Sequence, residues 1–452
     1  MPLARRLFAF LLFGVLAAAA AADDPSKSAA PKSDGNWTGQ TVLGKKPDER
    51  ISFFDEVDGK RVPLVFRSVH PIRVRADRDG RLRLSNGARE GWVDKNDFLL
   101  SRDAPAYFTE RLRINPKDSW SLVMRGSSWH SCGDWDKAIQ DYTEALRLNP
   151  NNSWALINRG ISRSNKKQFA EAVNDYTEAL RIDPKSAAAV RGRGRAYMEL
   201  DEPDKAIQDF TEAVRLDPDN ARAFDLRGQT RLKKREYDKA VRDFTEVTIL
   251  TPDDPGAYDN RGLAWYQKGQ YDRAIEDYTE AIRLNPRFAL AFNHRGLARV
   301  RKREYQLAIG DYDEAVRLEP GDATHLFFRG QARRLNKEFE AALRDYDEAI
   351  RLNPKYDAPV GQKAYILAAC RDDRLRDGEK AVELATKACE MSGWKNGFRL
   401  DALAAAYAEV GDFAQALKWA REAEKDPAFK ESEGRNVGAR IRLYQQGRPY
   451  RE

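Results

Sequence analysis

The sequence predicts a mainly α fold, a solenoid of stacked antiparallel helix pairs preceded by a small β-barrel. Three observations lead there. Proline recurs every 34 residues, at Pro116, Pro150, Pro184, Pro218, Pro252, Pro286, Pro320 and Pro354, with no residue gained or lost between them. A fixed period of that length marks one unit repeated along the chain. Glycine, alanine and aromatic residues keep the same beat between the prolines. Ahead of residue 104 the beat stops, and short β-prone runs alternate with turn signals.

Each unit reads as two helices. Ala138, Tyr142, Ala145 and Leu148 fall four, three and three residues apart, which is one face of a helix. Leu122–Trp129, with Gly126 inside, is the partner helix. The glycine column runs Gly126, Gly160, Gly194, Gly228, Gly262, Gly296, Gly330. A glycine inside a helix costs about 1 kcal/mol against alanine. Seven in register therefore imply a close approach by the second helix. The aromatic column, Tyr142, Tyr176, Phe210, Phe244, Tyr278, Tyr312 and Tyr346, is expected to fill the wedge between consecutive units. The proline follows the last turn of the second helix and stops it. An arginine precedes each glycine (Arg125 to Arg329), an aspartate precedes each aromatic (Asp141 to Asp345), and Glu144 to Glu348 keep the same period. Residues that recur in every unit serve architecture, so the arginines and aspartates are expected to pair within a unit or between neighbours.

These columns resemble the tetratricopeptide repeat (TPR) family, in which a Gly/Ala-Tyr/Trp first helix precedes an Ala-Phe/Tyr-Ala-Pro second helix. Seven units match, over residues 119–356. The resemblance implies a right-handed superhelix whose first helices line a concave groove for a peptide or protein partner. The chain departs from the pattern in two places. Arginine stands before each glycine where the family often has leucine. Arg163, Arg231, Arg299 and Arg333 occupy a place the family gives to an aromatic, kept here as Trp129, Tyr197 and Trp265.

The beat extends past both ends of the seven units. Ala104, Phe108 and Pro116 repeat the spacing of Ala138, Tyr142 and Pro150, so residues 104–118 are expected to form a half repeat, one capping helix. Residues 357–428 read as two divergent units, Tyr365–Cys370 with Glu379–Met391, then Leu400 to Ala423, with Pro427 ending the array. Residues 429–452 read as a tail with a short amphipathic helix over Asn436–Gln446. The stretch from Leu367 to Phe413 resembles the C-terminal units of exported bacterial TPR proteins.

The first 22 residues carry Arg5 and Arg6, an apolar run from Leu7 to Leu16, and Ala20 and Ala22 ahead of Asp23. That is the layout of a cleaved secretory signal peptide. The run is short for a spanning helix of about 20 residues, which weighs against a retained anchor. The expectation is an exported protein (periplasmic, cell-envelope or secreted) with no transmembrane segment after cleavage. Residues 23–36 read as a flexible linker. Within residues 37–103, Ile51–Phe54, Val62–Val69, Ile72–Val74, Leu82–Leu84 and Gly91–Val93 are expected strands, separated by Asp58-Gly59, Asp79-Gly80 and Asn86-Gly87. Trp37, Gly39 and the closing Gly91-Trp92-Val93 resemble a bacterial SH3-like domain.

The net charge of +7 falls to about +5 once Arg5 and Arg6 leave with the signal peptide. One third of the chain is charged with both signs mixed. No basic stripe of the kind nucleic-acid binding needs is present. Arg73, Arg75, Arg81 and Arg83 are a local exception. They read either as a docking surface for an anionic polymer such as a cell-wall component, or as a solvated face balanced by Asp77 and Asp79. His70, His130, His294 and His325 lie in different units, and no HExxH, GxxxxGK[ST], GxSxG or CxxC pattern occurs. No catalytic residue, cofactor or metal is expected. Cys132, Cys370 and Cys389 are expected to remain unpaired, buried thiols.

A partner would be read by first-helix residues that vary between units. The expected groove begins apolar with Trp120, Trp154, Ile157 and Asn158, turns charged at Arg191, Arg195, Arg222 and Asp225, and ends mixed with Asp259, Asn260, Tyr266, Asn293, Phe327 and Gln331. The carboxylate clamp of some chaperone-binding TPRs is absent. Around Asn158 its other places hold Val123, Ser127, Ala188 and Gly192. The function expected is a non-enzymatic protein–protein scaffold of the cell envelope. A cell-wall binder acting through the barrel, with the repeats as spacer, and a self-assembling subunit are the alternatives.

Overall fold

The computed structural model describes seven strand segments between residues 41 and 100 and the stretch 102–452. The signal peptide and linker expected over residues 1–36 lie outside the described residues. The strands are β1 (Thr41–Gly44), β2 (Ile51–Val57), β3 (Lys60–Phe66), β4 (Ile72–Arg78), β5 (Arg81–Ser85), β6 (Glu90–Asp94) and β7 (Phe98–Leu100). They pair antiparallel in the order β3-β2-β6-β5-β4-β1-β7. The five expected runs fall within β2 to β6, and β1 and β7 add a further pair. Among the described residues no ladder joins β3 to β7, the pairing that would close a barrel. These ladders therefore give a seven-stranded antiparallel sheet and do not establish the expected SH3-like barrel.

The helical part divides at Lys234/Arg235 into two compact units. The N-terminal one holds α1 (Ala104–Ile114), α2 (Ser119–Ser131), α3 (Trp135–Leu148), α4 (Ser153–Asn165), α5 (Phe169–Ile182), α6 (Ala187–Glu199), α7 (Pro203–Leu216) and α8 (Ala221–Lys233). The C-terminal one holds α9 (Tyr237–Leu250), α10 (Pro255–Lys268), α11 (Tyr271–Leu284), α12 (Ala289–Lys302), α13 (Tyr305–Leu318), α14 (Ala323–Leu335), α15 (Phe339–Leu352) and α16 (Asp357–Ala369). It continues with α17 (Gly378–Met391), α18 (Gly397–Glu409), α19 (Phe413–Ala423) and α20 (Pro427–Gln445).

Local chemistry starts and stops these helices. Two residues after a proline, the side chain of Asp118, Asn152, Ser186 or Asn220 accepts a backbone N–H of the first turn of α2, α4, α6 or α8. That satisfies one of the donors a helix start leaves free. The turn between paired helices takes one left-handed residue. Within the seven units it is glycine at Gly133 and Gly269, while Lys167, Asp201, Arg235, Arg303 and Lys337 adopt φ of 59–68° in the same column.

The glycine column is a contact requirement. A Cβ built on Gly126, Gly160, Gly194, Gly262, Gly296 or Gly330 would stand 2.6–2.9 Å from a ring carbon of the aromatic residue sixteen positions on. Tyr142, Phe210, Tyr278, Tyr312 and Tyr346 are in turn almost wholly buried. The ring seals the two helices of its unit only where the first helix lacks a side chain.

Beside each ring runs the ion pair. Arg125 Nη2 donates to Asp141 Oδ1 at 2.7 Å and Nε to Oδ2 at 2.8 Å. The same two-point contact joins Arg193 to Asp209 and Arg261 to Asp277, and Arg159, Arg295 and Arg329 reach Asp175, Asp311 and Asp345. The remaining guanidinium nitrogen donates to the second helix of the preceding repeat, from Arg125, Arg159, Arg193 and Arg295 to Thr109, Thr143, Thr177 and Thr279, from Arg261 to Thr248 and from Arg329 to Asp313, and Arg227 likewise reaches Thr211. The glutamate column lies outside this network and pairs with arginines three residues on, on exposed surface. Where an arginine replaces the family's aromatic, it joins the bridge. Arg163, Arg299 and Arg333 add a second cation to Asp175, Asp311 and Asp345. Where the aromatic is kept, Lys137 lies over Trp129, Lys205 over Tyr197 and Arg273 over Trp265.

The C-terminal end differs from the expected tail. Pro427 does not end the array. It opens α20, a 19-residue helix with proline in its first turn, where no N–H is needed. A buried pair, Arg440 Nε to Asp401 Oδ1 at 3.0 Å, fastens α20 to α18. The final residues fold back on this unit, with the Glu452 N–H donating to Ala369 O and Glu452 pairing with Arg334. Cys370 and Cys389 are buried thiols, but Cys132, expected buried, is exposed just past α2. Among the described residues no helix is long and apolar enough to cross a membrane.

Two predictions test these contacts. Gly262→Ala drives a Cβ into Tyr278 and should destabilise by about 1–3 kcal/mol. Gly310→Ala, in open space on α13, should stabilise by about 1 kcal/mol. Urea titration of each variant reads both signs. In a double-mutant cycle, Arg261→Ala and Asp277→Ala should be coupled by about 1–3 kcal/mol, and additive losses would contradict the bridge.

Candidate partner-binding face

First helices α2, α4, α6 and α8 carry the varying residues of the N-terminal unit. The structure uses several of them internally. Trp120 meets Phe108 of α1 edge-on, with centroids 5.5 Å apart, and Arg111 lies over the Trp120 ring. Trp154 meets the Tyr142 ring of the preceding repeat edge-on at 6.3 Å. Ile157 packs, half-buried, among Tyr142, Tyr176 and their neighbours. Asn158 is buried, and its amide donates back to Trp154 O of its own helix.

The charged centre is different. Arg195 and Arg222 are exposed and Arg191 is half-buried. Asp225 is buried and already taken, since it accepts from Arg222 Nη1 at 2.7 Å and from Gln229 Nε2 at 3.0 Å. Among the described residues Arg191 and Arg195 have no ion-pair partner. Burial pushes the Arg191 guanidinium below its ordinary value. Asp217 acts the other way, and Arg195 and Arg222 push it lower again. Three like charges thus converge on one short stretch of α6 and α8, one turn apart on α6 and facing Arg222 across the helix gap. Asp225 pairs with Arg222 and Asp217 acts on Arg191, while among the described residues Arg195 has no ion pair.

In the C-terminal unit the variable positions turn mostly inward. Asp259 is buried and accepts from His294 Nδ1 at 2.8 Å, while Tyr266 is buried against Tyr271. Asn293 is buried against His325, with Asn293 Nδ2 to Nδ1 at 3.0 Å. Phe327 is about as buried as a side chain can be, between Phe328, Tyr346 and Tyr356. Asn260 and Gln331 are half-buried. His294 and His325, not among the expected face residues, turn out to link neighbouring repeats. The sequence signal for His325 was available, because alanine fills its column in five other repeats. On β4 and β5, Arg75 sits at a register shift between Val74 and Ala76 and is exposed. Arg73 pairs in register with Thr41, Arg81 with Asp94 and Arg83 with Trp92.

Burial separates packing from recognition in this set. Phe327→Ala should cost about 3–5 kcal/mol by urea titration. Gln331→Ala, at a half-buried position, should stay within about 0.5 kcal/mol of the wild type.

Comparison with known proteins adds the family. Models of the tetratricopeptide repeat match residues 119–152, 157–221 and 293–357, and a TPR repeat model matches 262–303. No curated protein matches the chain. Among solved structures, MamA is 27% identical over 36% of this chain and 96% of its own, with a TM-score of 0.35. YrrB, described as a TPR protein with an unusual peptide-binding site, is 24% identical over 41% of this chain and 95% of its own, with a TM-score of 0.37. A tetratricopeptide repeat protein from Parabacteroides merdae is 20% identical over 59% of this chain and 98% of its own, with a TM-score of 0.44. The matched models show tetratricopeptide repeats over residues 119–152, 157–221 and 262–357, a fold typical of protein–protein interaction scaffolds.

Proposed function

We propose that the chain is a non-catalytic scaffold of the cell envelope and that the inner face of α6 and α8 binds an acidic segment of a partner protein. The observation that carries this reading is the convergence of Arg191, Arg195 and Arg222. Like charges brought together cost free energy until an anion arrives. A guanidinium is also weakly hydrated and shaped to grip a carboxylate at two points. The buried Asp225 holds Arg222 by one nitrogen and leaves the rest of its fork available. A partner offering two or three carboxylates along an extended backbone would relieve the repulsion and fill the forks.

Two further parts of the proposal rest on sequence. Export rests on the leader over residues 1–22. An SH3-like role for the sheet region, with Arg73, Arg75, Arg81 and Arg83 facing an anionic wall polymer, rests on its Gly91-Trp92-Val93 strand.

A fluorescein-labelled peptide of alternating Glu and Ser serves as probe for fluorescence anisotropy with the full chain. Arg191→Ala with Arg195→Ala should weaken binding at least tenfold, since each charge-assisted hydrogen bond contributes about 1.5–3 kcal/mol. Raising salt from 0.05 to about 0.5 M should weaken the wild type and bring it towards the variant. Equal binding of a Gln/Ser peptide, or an unchanged affinity in the double variant, would defeat the reading.

A further inference from the structure

Where α13 hands over to α14, three ligand-bearing side chains meet. Glu319, Asp322 and His325 each offer one atom, all lying within 4.8 Å of one another. His325 Nε2 stands 3.2 Å from Glu319 Oε2 and 3.9 Å from Asp322 Oδ2. The imidazole is buried, with its side chain 4% exposed, while the two carboxylates reach solvent. Glu319 and Asp322 line a cleft of about 580 Å³ that Leu352 and Asn353 complete.

The repeat provides an internal standard. In the column of His325 the other units have Ala155, Ala189, Ala223, Ala257 and Ala291 (Ser121 in the first), and those alanines are 0–2% exposed. Packing at that column needs a methyl group and no more. In the column of Glu319 stand Asn149, Asp183, Asp217, Thr251, Asn285 and Asn353, so one unit alone carries the longer acid. Both departures fall at the same junction between repeats, six residues apart, and they meet in space. The contact with Asn293 ties His325 to the preceding repeat through Nδ1 alone, and repeat packing does not account for the meeting of Nε2 with two carboxylates.

The spacing suits a metal. An ion with four tetrahedral ligands holds nitrogen and oxygen at about 2.0–2.2 Å, which sets neighbouring ligand atoms about 3.4 Å apart. The two distances from Nε2, 3.2 and 3.9 Å, straddle that value. Asp322 Oδ1 is occupied as the cap of α14, accepting the Thr324 N–H at 2.7 Å, so Oδ2 is the oxygen on offer. The far side of the ring is governed by Asn293, which is 4% exposed. Its Nδ2 faces His325 Nδ1 at 3.0 Å, and its Oδ1 is buried without a partner. The two ends of an asparagine amide have nearly the same shape. Turned over, the amide would place Oδ1 against Nδ1, which would then carry the ring proton and leave a lone pair on Nε2 between the two carboxylates. Metal-ligating histidines are held by such a carbonyl contact on the other nitrogen. The dipole at the start of α14 opposes a cation, and the two carboxylates oppose that in turn.

We propose that Glu319, Asp322 and His325 form a binding site for a divalent first-row transition ion of the Zn²⁺ class, with water completing its shell. One imidazole and two carboxylates suit such an ion. Mg²⁺ prefers an all-oxygen octahedron and keeps its waters. A bound ion would tie the end of α13 to the start of α14.

Isothermal titration of Zn²⁺ into the full chain tests this, beside His325→Ala and Glu319→Asn. Each variant installs the residue that sister repeats already use, and circular dichroism checks that both remain folded. The expected result is Zn²⁺ binding by the wild type that weakens at least tenfold in His325→Ala and measurably in Glu319→Asn. Zn²⁺ should also raise the melting temperature of the wild type, whereas an equal concentration of Mg²⁺ should leave it unchanged. No Zn²⁺ binding by the wild type, equal Zn²⁺ affinity in the wild type and in both variants, or an equal response to Mg²⁺ would each overturn the proposal. Glu319→Asn decides the matter alone should His325→Ala not fold.

Discussion

One interaction recurs in six of the seven repeats, and the others are arranged around it: the guanidinium held between two second helices. Arg125, Arg159, Arg193 and Arg295 each grip the aspartate of their own unit and the threonine hydroxyl of the unit before. A single side chain so connects three helices. The aspartates are buried, and burial pushes the Asp277 and Asp311 carboxyls up while the arginine contact acts against it. A pair in that position adds modest net stability while intact, but losing one member strands a charge in the interior. That asymmetry is a physical reason for both columns to be kept in all seven units. It also explains why Asp175, Asp311 and Asp345 gain a second arginine where the family has an aromatic.

The glycine and the ring set the distance at which that bridge can form. With a Cβ the first helix would sit too far from the second for a two-point contact. Packing and electrostatics therefore constrain the same dimension. Trp129, Tyr197 and Trp265, each under a cation, put a π face where Arg163, Arg299 and Arg333 put a second guanidinium.

The helical fold was legible because its rules repeat. Seven copies of one spacing leave little freedom in how Gly262 must meet Tyr278. The ends were less legible. Pro427 can stop a helix or start one, and the choice depends on whether α18 offers a surface to cover, which Asp401 and Arg440 supply from 39 residues apart. The recognition face was legible only in part. Variation between repeats picks out Arg191 and Phe327 equally, yet one stands half-open beside two like charges and the other lies sealed among three rings. Burial separates them, and burial depends on neighbours one whole repeat away. His325 escaped notice because four scattered histidines carry no spacing of their own. Its meaning lies in the alanines it replaces.

The bridge that spans two consecutive units has an arithmetical consequence for how such a chain can change length. Adding or removing one complete 34-residue module leaves each arginine facing the aspartate of its own unit and an acceptor on the unit before, so the number of modules is free to drift. A shift of a single residue within a module would instead rotate one column by about 100° around its helix. It would orphan charges at two junctions together. The array is tolerant of large edits and intolerant of small ones, so its length should vary in whole modules.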